Sequence, residues 1–266
     1  MTTRKTSRQD HTPATLSEAD GVRYLHLDSI WVQGAMRIRK PLHLELEYIQ
    51  RMMAWMLWRP SAELCRGRAV QLGLGAGALT RFAHSRLRMH TTAVEFNPSV
   101  ISACRTWFHL PQDTARLAVV QADAAHWVAD AQHWDQVQVL NVDLYDHDAA
   151  GPVLDSEEFY SLCRKTLVPG GLMTVNLFGR HASFALSARR IAKAFGSDQV
   201  WQLAPTREGN TVVVAANGVT VPDREELLRR AAHIEARFDL PATKWLRLVR
   251  PLPLSILQTP EGEGDD

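Results

Sequence analysis

Apolar residues between Ala69 and Ala216 fall in short runs, each followed by a longer stretch with helical spacing. Five runs predict strands: Ala69–Leu72, Thr92–Glu95, Leu117–Gln121, Val137–Val142 and Leu172–Asn176. The stretches Ala78–Arg86, Pro98–Phe108, Ala124–Ala131, Ser156–Leu167 and Ala182–Phe195 predict helices. Asp155 as N-cap with Glu158 after it marks the start of the helix near Ser156, and Pro169-Gly170-Gly171 marks its end. Strand and helix in alternation build βαβ units, hence a parallel sheet covered on both faces. Two late runs, Gln199–Leu203 and Thr211–Ala216, flank the polar turn Thr206–Asn210 and predict an antiparallel pair at one edge. The expected fold is α/β, a doubly wound, mostly parallel sheet of seven strands, Rossmann-like.

The ends read differently. Residues 1–20 are polar without an apolar core, and the expectation is an unstructured N-terminus. Residues 21–60 predict a small β-hairpin, from Val22, Tyr24, Leu25 and Leu27 and then Ile30, Trp31 and Val32, followed by a helix from Leu44 to Trp58. Leu46, Ile49, Met53 and Leu57 give that helix one apolar stripe, and its Met and Trp residues read as packing. Residues 61–218 form the expected catalytic domain, and residues 219–266 a helix, Asp223–Phe238, with a solvated tail.

Charge and composition narrow the function. A net charge of +1 over 266 residues gives no footprint for nucleic acid or an anionic membrane. The most apolar stretch, Tyr48–Trp58, is too short to span a bilayer and contains Arg51. Residues 1–20 do not resemble a secretory signal. Cys65, Cys104 and Cys163 are odd in number and far apart, which suits a reducing compartment and argues against a zinc site. The expectation is a cytoplasmic protein without a metal.

In an open parallel sheet, ligands bind beyond the carboxyl ends of the strands. The first strand ends in Gly73, Gly75 and Gly77, the second in Glu95, the third in Asp123, the fourth in Asp143 and Asp146, and the fifth in Asn176 and Phe178. Glycines let a ligand approach bare backbone, and Glu95 is placed to accept the hydroxyls of a ribose. Asp123 is placed for an adenine amino group or for capping the next helix. The loop has no phosphate-cradling Lys and the rim is acidic. A cationic adenosine ligand such as S-adenosylmethionine therefore fits better than a dinucleotide. His147 stands in the same loop as Asp146.

The stretch from Trp134-Asp135 to Gly171, with its Asp143-x-x-Asp146 pair, Gly151-Pro152, Phe159-Tyr160 and Pro169-Gly170-Gly171, resembles the spermidine synthase (polyamine aminopropyltransferase) family. Trp31-Val32-Gln33-Gly34 is similar to the family's N-terminal strand, and Glu47–Met52 to its tyrosine-bearing helix. The resemblance implies aminopropyl transfer from decarboxylated S-adenosylmethionine to a small amine. In that reaction Asp143 is the catalytic carboxylate, Tyr48 and Asp146 hold the amine, and Gln33 touches the tail side of the nucleoside. Gly73, Gly75, Gly77, Glu95 and Asp123 bind the nucleoside. It also implies a homodimer. Three positions depart from the family pattern. Ala76 replaces a loop aspartate, Gln50 replaces a glutamate after the helix tyrosine, and His147 replaces a proline. With two acids lost, methyl transfer from S-adenosylmethionine and a non-catalytic nucleoside-binding role stay open beside aminopropyl transfer.

Overall fold

A computed structural model describes residues 12–145, 154–178 and 181–258. Three antiparallel strands come first, β1 (Ala14–Ala19), β2 (Val22–Leu27) and β3 (Gly34–Arg37), paired in that order. The chain is therefore ordered from Ala14, inside the stretch expected to be unstructured. Ala14 and Leu16 pack against a core with Leu25, Met36 and Phe108, while β2 pairs with the β1 backbone. Two apolar positions in a polar segment suffice because the partner strand supplies the rest. Residues 1–11 lie outside the described residues.

Helix α1 (Glu47–Arg51) runs into a 3₁₀ segment, Met52–Leu57, where one continuous helix was expected. Every residue from Met52 to Trp58 is buried, so packing on all sides decides this backbone. β4 (Arg68–Leu72), α2 (Ala78–Arg81), β5 (His90–Glu95), α3 (Pro98–Trp107), β6 (Leu117–Gln121), α4 (Ala124–Ala129) and β7 (Val137–Val142) follow. Then come α5 (Glu157–Thr166), β8 (Leu167–Phe178), α6 (His181–Phe195), β9 (Val200–Leu203) and β10 (Asn210–Ala216). α7 (Arg224–Phe238), α8 (Ala242–Leu248), β11 (Val249–Pro251) and α9 (Leu254–Gln258) close the described chain. A second helix, a strand and a third helix thus occupy part of the expected tail.

The large sheet has eight strands in the order β11-β9-β10-β8-β7-β4-β5-β6. Five are parallel, and β10 inserts antiparallel between β8 and β9. The strand beyond the expected seven is β11, a short edge that ends on Pro251, where a missing ladder donor costs least. Consecutive strand residues point to opposite faces. Ala69, Val139, Leu172 and Val212 meet Met52–Trp58, Ile234, Phe238 and Trp245 on one side. Val70, Leu140, Met173 and Val213 meet Trp127, Phe159, Ile191 and Phe195 on the other.

The N-cap of α5 is Ser156, whose hydroxyl accepts from the Phe159 N–H, not Asp155 as expected. Asp155 instead accepts from the Tyr160 and Ser187 hydroxyls at 2.8 and 2.9 Å and from Arg190 at 2.8 Å. It ties α5 to α6, and the stronger donors explain why it does not cap.

Candidate active site

The strand order lays the site out as a row. At the C-terminal rim of the parallel strands, Asp123 follows β6, Glu95 ends β5, the glycine loop follows β4, Asp143 follows β7, and Asn176 lies near the end of β8. β10 runs the opposite way, so its first residue, Asn210, and the turn before it reach the same rim. One cavity of about 930 Å³ runs along this row. It is lined by Gln33, Tyr48, Gly73, Gly75, Glu95, Asp123 and Asp143, seven of the nine residues nominated from the sequence. Gly77 is not in the lining. It is the left-handed residue at which α2 begins, and its α-carbon faces Arg81 and Leu110. Asp146 lies outside the described residues, as do His147, Gly151 and Pro152.

The glycine loop is held from both sides. Gly73 has φ 81°, and a Cβ there would sit 2.1 Å from the Asp143 carbonyl oxygen, so β4 and β7 can close together only over a glycine. Beneath the loop the Cys104 thiol donates to the Gly75 carbonyl at 3.0 Å, and the buried Arg81 donates to the carbonyls of Ala76 and Pro41. Burial pushes the Cys104 thiol up to about 12, so it remains an unreactive donor. From above, β3 presses on the loop. A Cβ on Gly34 would meet the Ala76 nitrogen at 2.5 Å.

At the nucleoside end, the Glu95 carboxylate accepts from the backbone N–H of Leu74 and of Asn97, each at 2.8 Å. The two N–H donors fix the carboxylate at the end of β5, on the cavity wall. Asp123 caps α4 through one oxygen, which accepts from the His126 N–H at 3.0 Å. Asp123 also lines the cavity. Val94, Phe96, Val100 and Ala124 give this end apolar walls.

At the other end, Asp143 is part-buried and doubly held. Asn176 donates to one oxygen at 2.9 Å and the Tyr48 hydroxyl to the other at 3.3 Å. Asn210 donates to the Asn176 side-chain oxygen at 3.1 Å and so fixes which end of that amide faces Asp143. Burial pushes the Asp143 carboxyl up to about 6, against the downward pull of the two hydrogen bonds. Burial and the adjacent Asp143 charge hold the Tyr48 phenol well above its usual range, so it stays a donor. At neutral pH the site thus holds an ionised carboxylate of raised basicity, suited to orienting an amine and accepting its proton.

Neither position at which the family's acid is replaced lines the cavity. The Gln50 amide donates to the Leu44 carbonyl at 2.7 Å and borders a separate recess with Lys40, Arg86 and Phe238. Ala76 is 2% exposed and packed under Gly34. The cavity wall carries other acids. Glu45, Glu47 and Glu208 line it and were not nominated from the sequence. Glu45 is paired with Arg37 and Glu47 with Arg51. None of the Met and Trp residues of Met52–Trp58 lines it. Among the described residues no group of three or more His, Cys, Asp or Glu could hold a metal, and no helix is long and apolar enough to cross a membrane.

No protein-family model matches the chain. It is similar to the polyamine aminopropyltransferase of Chromobacterium violaceum, with 30% identity over 227 residues that cover 85% of this chain and 84% of the relative. The chain belongs to the polyamine aminopropyltransferase family. It is accordingly a transferase. Solved structures agree in fold. A probable spermidine synthase from Corynebacterium glutamicum matches with a TM-score of 0.67 at 19% identity, over 93% of this chain and 95% of that one. A spermidine synthase in complex with the transition state analogue AdoDATO matches with a TM-score of 0.61 at 17% identity, over 92% and 87%.

Proposed function

We propose that this aminopropyltransferase moves the aminopropyl group of decarboxylated S-adenosylmethionine to a small amine. The observation that carries the reading is Asp143, held by Tyr48 and Asn176 in the same cavity as Glu95 and Asp123. The nucleoside lies along β5 and β6, its ribose on Glu95, its adenine toward Asp123, and Gly73 and Gly75 beneath. Gln33 borders the tail side. The acceptor enters over β7 and β8, where Tyr48 and Asp143 take its reacting nitrogen.

The amine must be neutral to attack, and Asp143 accepts hydrogen bonds from it and helps remove its proton. The nitrogen lone pair forms a bond to the methylene carbon next to the sulfonium. The carbon–sulfur bond breaks, its electron pair goes to sulfur, and methylthioadenosine leaves. The proton released from the new ammonium passes to Asp143 and then to solvent. The leaving group is activated by its own positive sulfur, so the step draws on no metal. Aminopropyl transfer is favoured over methyl transfer because the cavity keeps its carboxylates and the family assignment points the same way.

The same reading places the protein in the cytoplasm, in keeping with three free cysteines, and as a homodimer, after the family resemblance. It expects no nucleic-acid partner. The test is incubation with decarboxylated S-adenosylmethionine and putrescine, with methylthioadenosine release followed by chromatography. Calorimetry with methylthioadenosine and S-adenosylhomocysteine accompanies it. Tighter binding of S-adenosylhomocysteine, or its formation from S-adenosylmethionine, would overturn the reading in favour of methyl transfer.

A further inference from the structure

The nucleoside end of the cavity has a wall that the large sheet does not supply. Thr12, Leu25 and Leu27 line it, together with Asn97 and Val100 at the start of α3. Leu25 and Leu27 belong to β2, which pairs with β1 so that Leu27 stands opposite Ala14 and Leu25 opposite Leu16. Thr12 lies two residues before β1. The chain therefore meets the cavity before its first strand begins.

Two side chains at the start of α3 hold it there. The Asn97 amide donates to the Thr12 carbonyl at 2.7 Å, and the Ala14 N–H donates to the Ser99 hydroxyl at 2.7 Å. Asn97 makes two further hydrogen bonds. Its side-chain oxygen caps α3 by accepting from the Ser99 N–H at 2.9 Å, and its own N–H donates to the Glu95 carboxylate at 2.8 Å. Capping uses only the oxygen, which a serine would supply equally well. The amide nitrogen is surplus to the cap, and it is the group that reaches Thr12, 85 positions away in sequence. One residue thus fixes Glu95, the start of α3 and the approach to β1 relative to one another.

Resting on the nucleoside placement in the aminopropyl-transfer reading, we propose that the chain at Thr12 is a wall of the adenosine site and that Asn97 is its positioning residue. Glu95 receives the ribose, and Asn97 sets Thr12 and the leucines of β2 against the same nucleoside. The acceptor end is separate from this tether, since Tyr48, Asp143 and Asn176 are held by one another over β7 and β8.

The experiment compares the full chain with its Asn97→Ser and Ser99→Ala variants. Serine at position 97 keeps the cap and the N–H to Glu95 but is too short to reach Thr12, so only the tether is lost. Methylthioadenosine affinity is read by calorimetry, and kcat and both KM values by methylthioadenosine release from decarboxylated S-adenosylmethionine and putrescine. Asn97→Ser should weaken methylthioadenosine and raise the nucleoside KM by roughly five- to tenfold, as for one lost hydrogen bond, with kcat and the putrescine KM within about twofold. Ser99→Ala leaves every Asn97 contact in place and should move the same two values by about threefold. Unchanged methylthioadenosine affinity in either variant overturns the inference. A rise in the putrescine KM equal to that in the nucleoside KM does so too, because it marks general damage to the fold. A wild type that binds methylthioadenosine but turns over no amine, with both variants weakened in binding, overturns aminopropyl transfer and upholds the wall.

Discussion

Asp143→Asn should destroy turnover and at the same time stabilise the free protein at neutral pH. The carboxyl is moved from 3.8 to about 6 by burial, so the folded state holds a proton that the unfolded chain has already released. Stability therefore falls as pH rises from about 4 to about 6 and then levels off, since the folded state binds more protons throughout that window. A shift of this size corresponds to about 3 kcal/mol against the ionised protein at pH 7. The amide variant has no charge to desolvate, and its hydrogen bonds can be rebuilt. Its oxygen accepts from Asn176, and its NH₂ donates to the Tyr48 hydroxyl, which can reverse its role. With part of the gain lost to imperfect geometry, the expected stabilisation is about 2–3 kcal/mol, or roughly 5–10 °C in Tm for a chain of this size.

The assay is thermal and urea unfolding of both proteins at pH 7.5 and at pH 4, with methylthioadenosine calorimetry to check the nucleoside end. The variant should be more stable at pH 7.5, equal to the wild type near pH 4, and within a few-fold of it in nucleoside binding. A variant that is no more stable at pH 7.5, or one whose advantage persists at pH 4, would refute the claim that a buried anion is maintained here at a cost to folding. Near-normal turnover would refute the catalytic role.

Three further outcomes follow from the same geometry. Tyr48→Phe removes one of two donors to the Asp143 anion, so its pKa rises. The acid limb of kcat/KM should move from near pH 6 upward by about one unit, on the basis of about 1.5 kcal/mol for a hydrogen bond to a charged group. A pH–rate profile checks this. Gln50→Glu restores the family's residue at a position outside the cavity. It should leave the putrescine KM within about twofold and cost about 1 kcal/mol in urea unfolding, because a carboxylate cannot donate to the Leu44 carbonyl. Gly34→Ala forces a Cβ into the Ala76 backbone, and overpacking of this kind costs about 1–3 kcal/mol. Melting temperature and methylthioadenosine affinity should fall together, since the ribbon and the glycine loop share that contact.

What the sequence disclosed depended on whether chain direction alone determines position. Gly73, Glu95, Asp123 and Asp143 each follow a parallel strand, so strand order and direction carry them to one rim before any packing is known. Glu208 reaches the same rim by the reverse route. β10 is antiparallel, and a turn that precedes a strand delivers residues where the parallel strands end. Recognising Thr211–Ala216 as the antiparallel member would have nominated Thr206–Asn210 as part of the site. β1 and the 3₁₀ segment escaped for another reason. Their conformations follow from partners distant in the chain, Leu25 and Phe108 for the one and Ile234 and Trp245 for the other.

The replacements at Ala76 and Gln50 show the limit of reading a motif as a list of residues. A motif records identities, whereas binding depends on direction. Residues at i and i+2 of a helix do not share a face, so Tyr48 and Gln50 diverge. Tyr48 turns to Asp143, and Gln50 turns to Leu44. Glu208 lines the cavity from an element the motif does not include. Thr206 and Asn210 hold the β9–β10 turn independently of the Glu208 side chain.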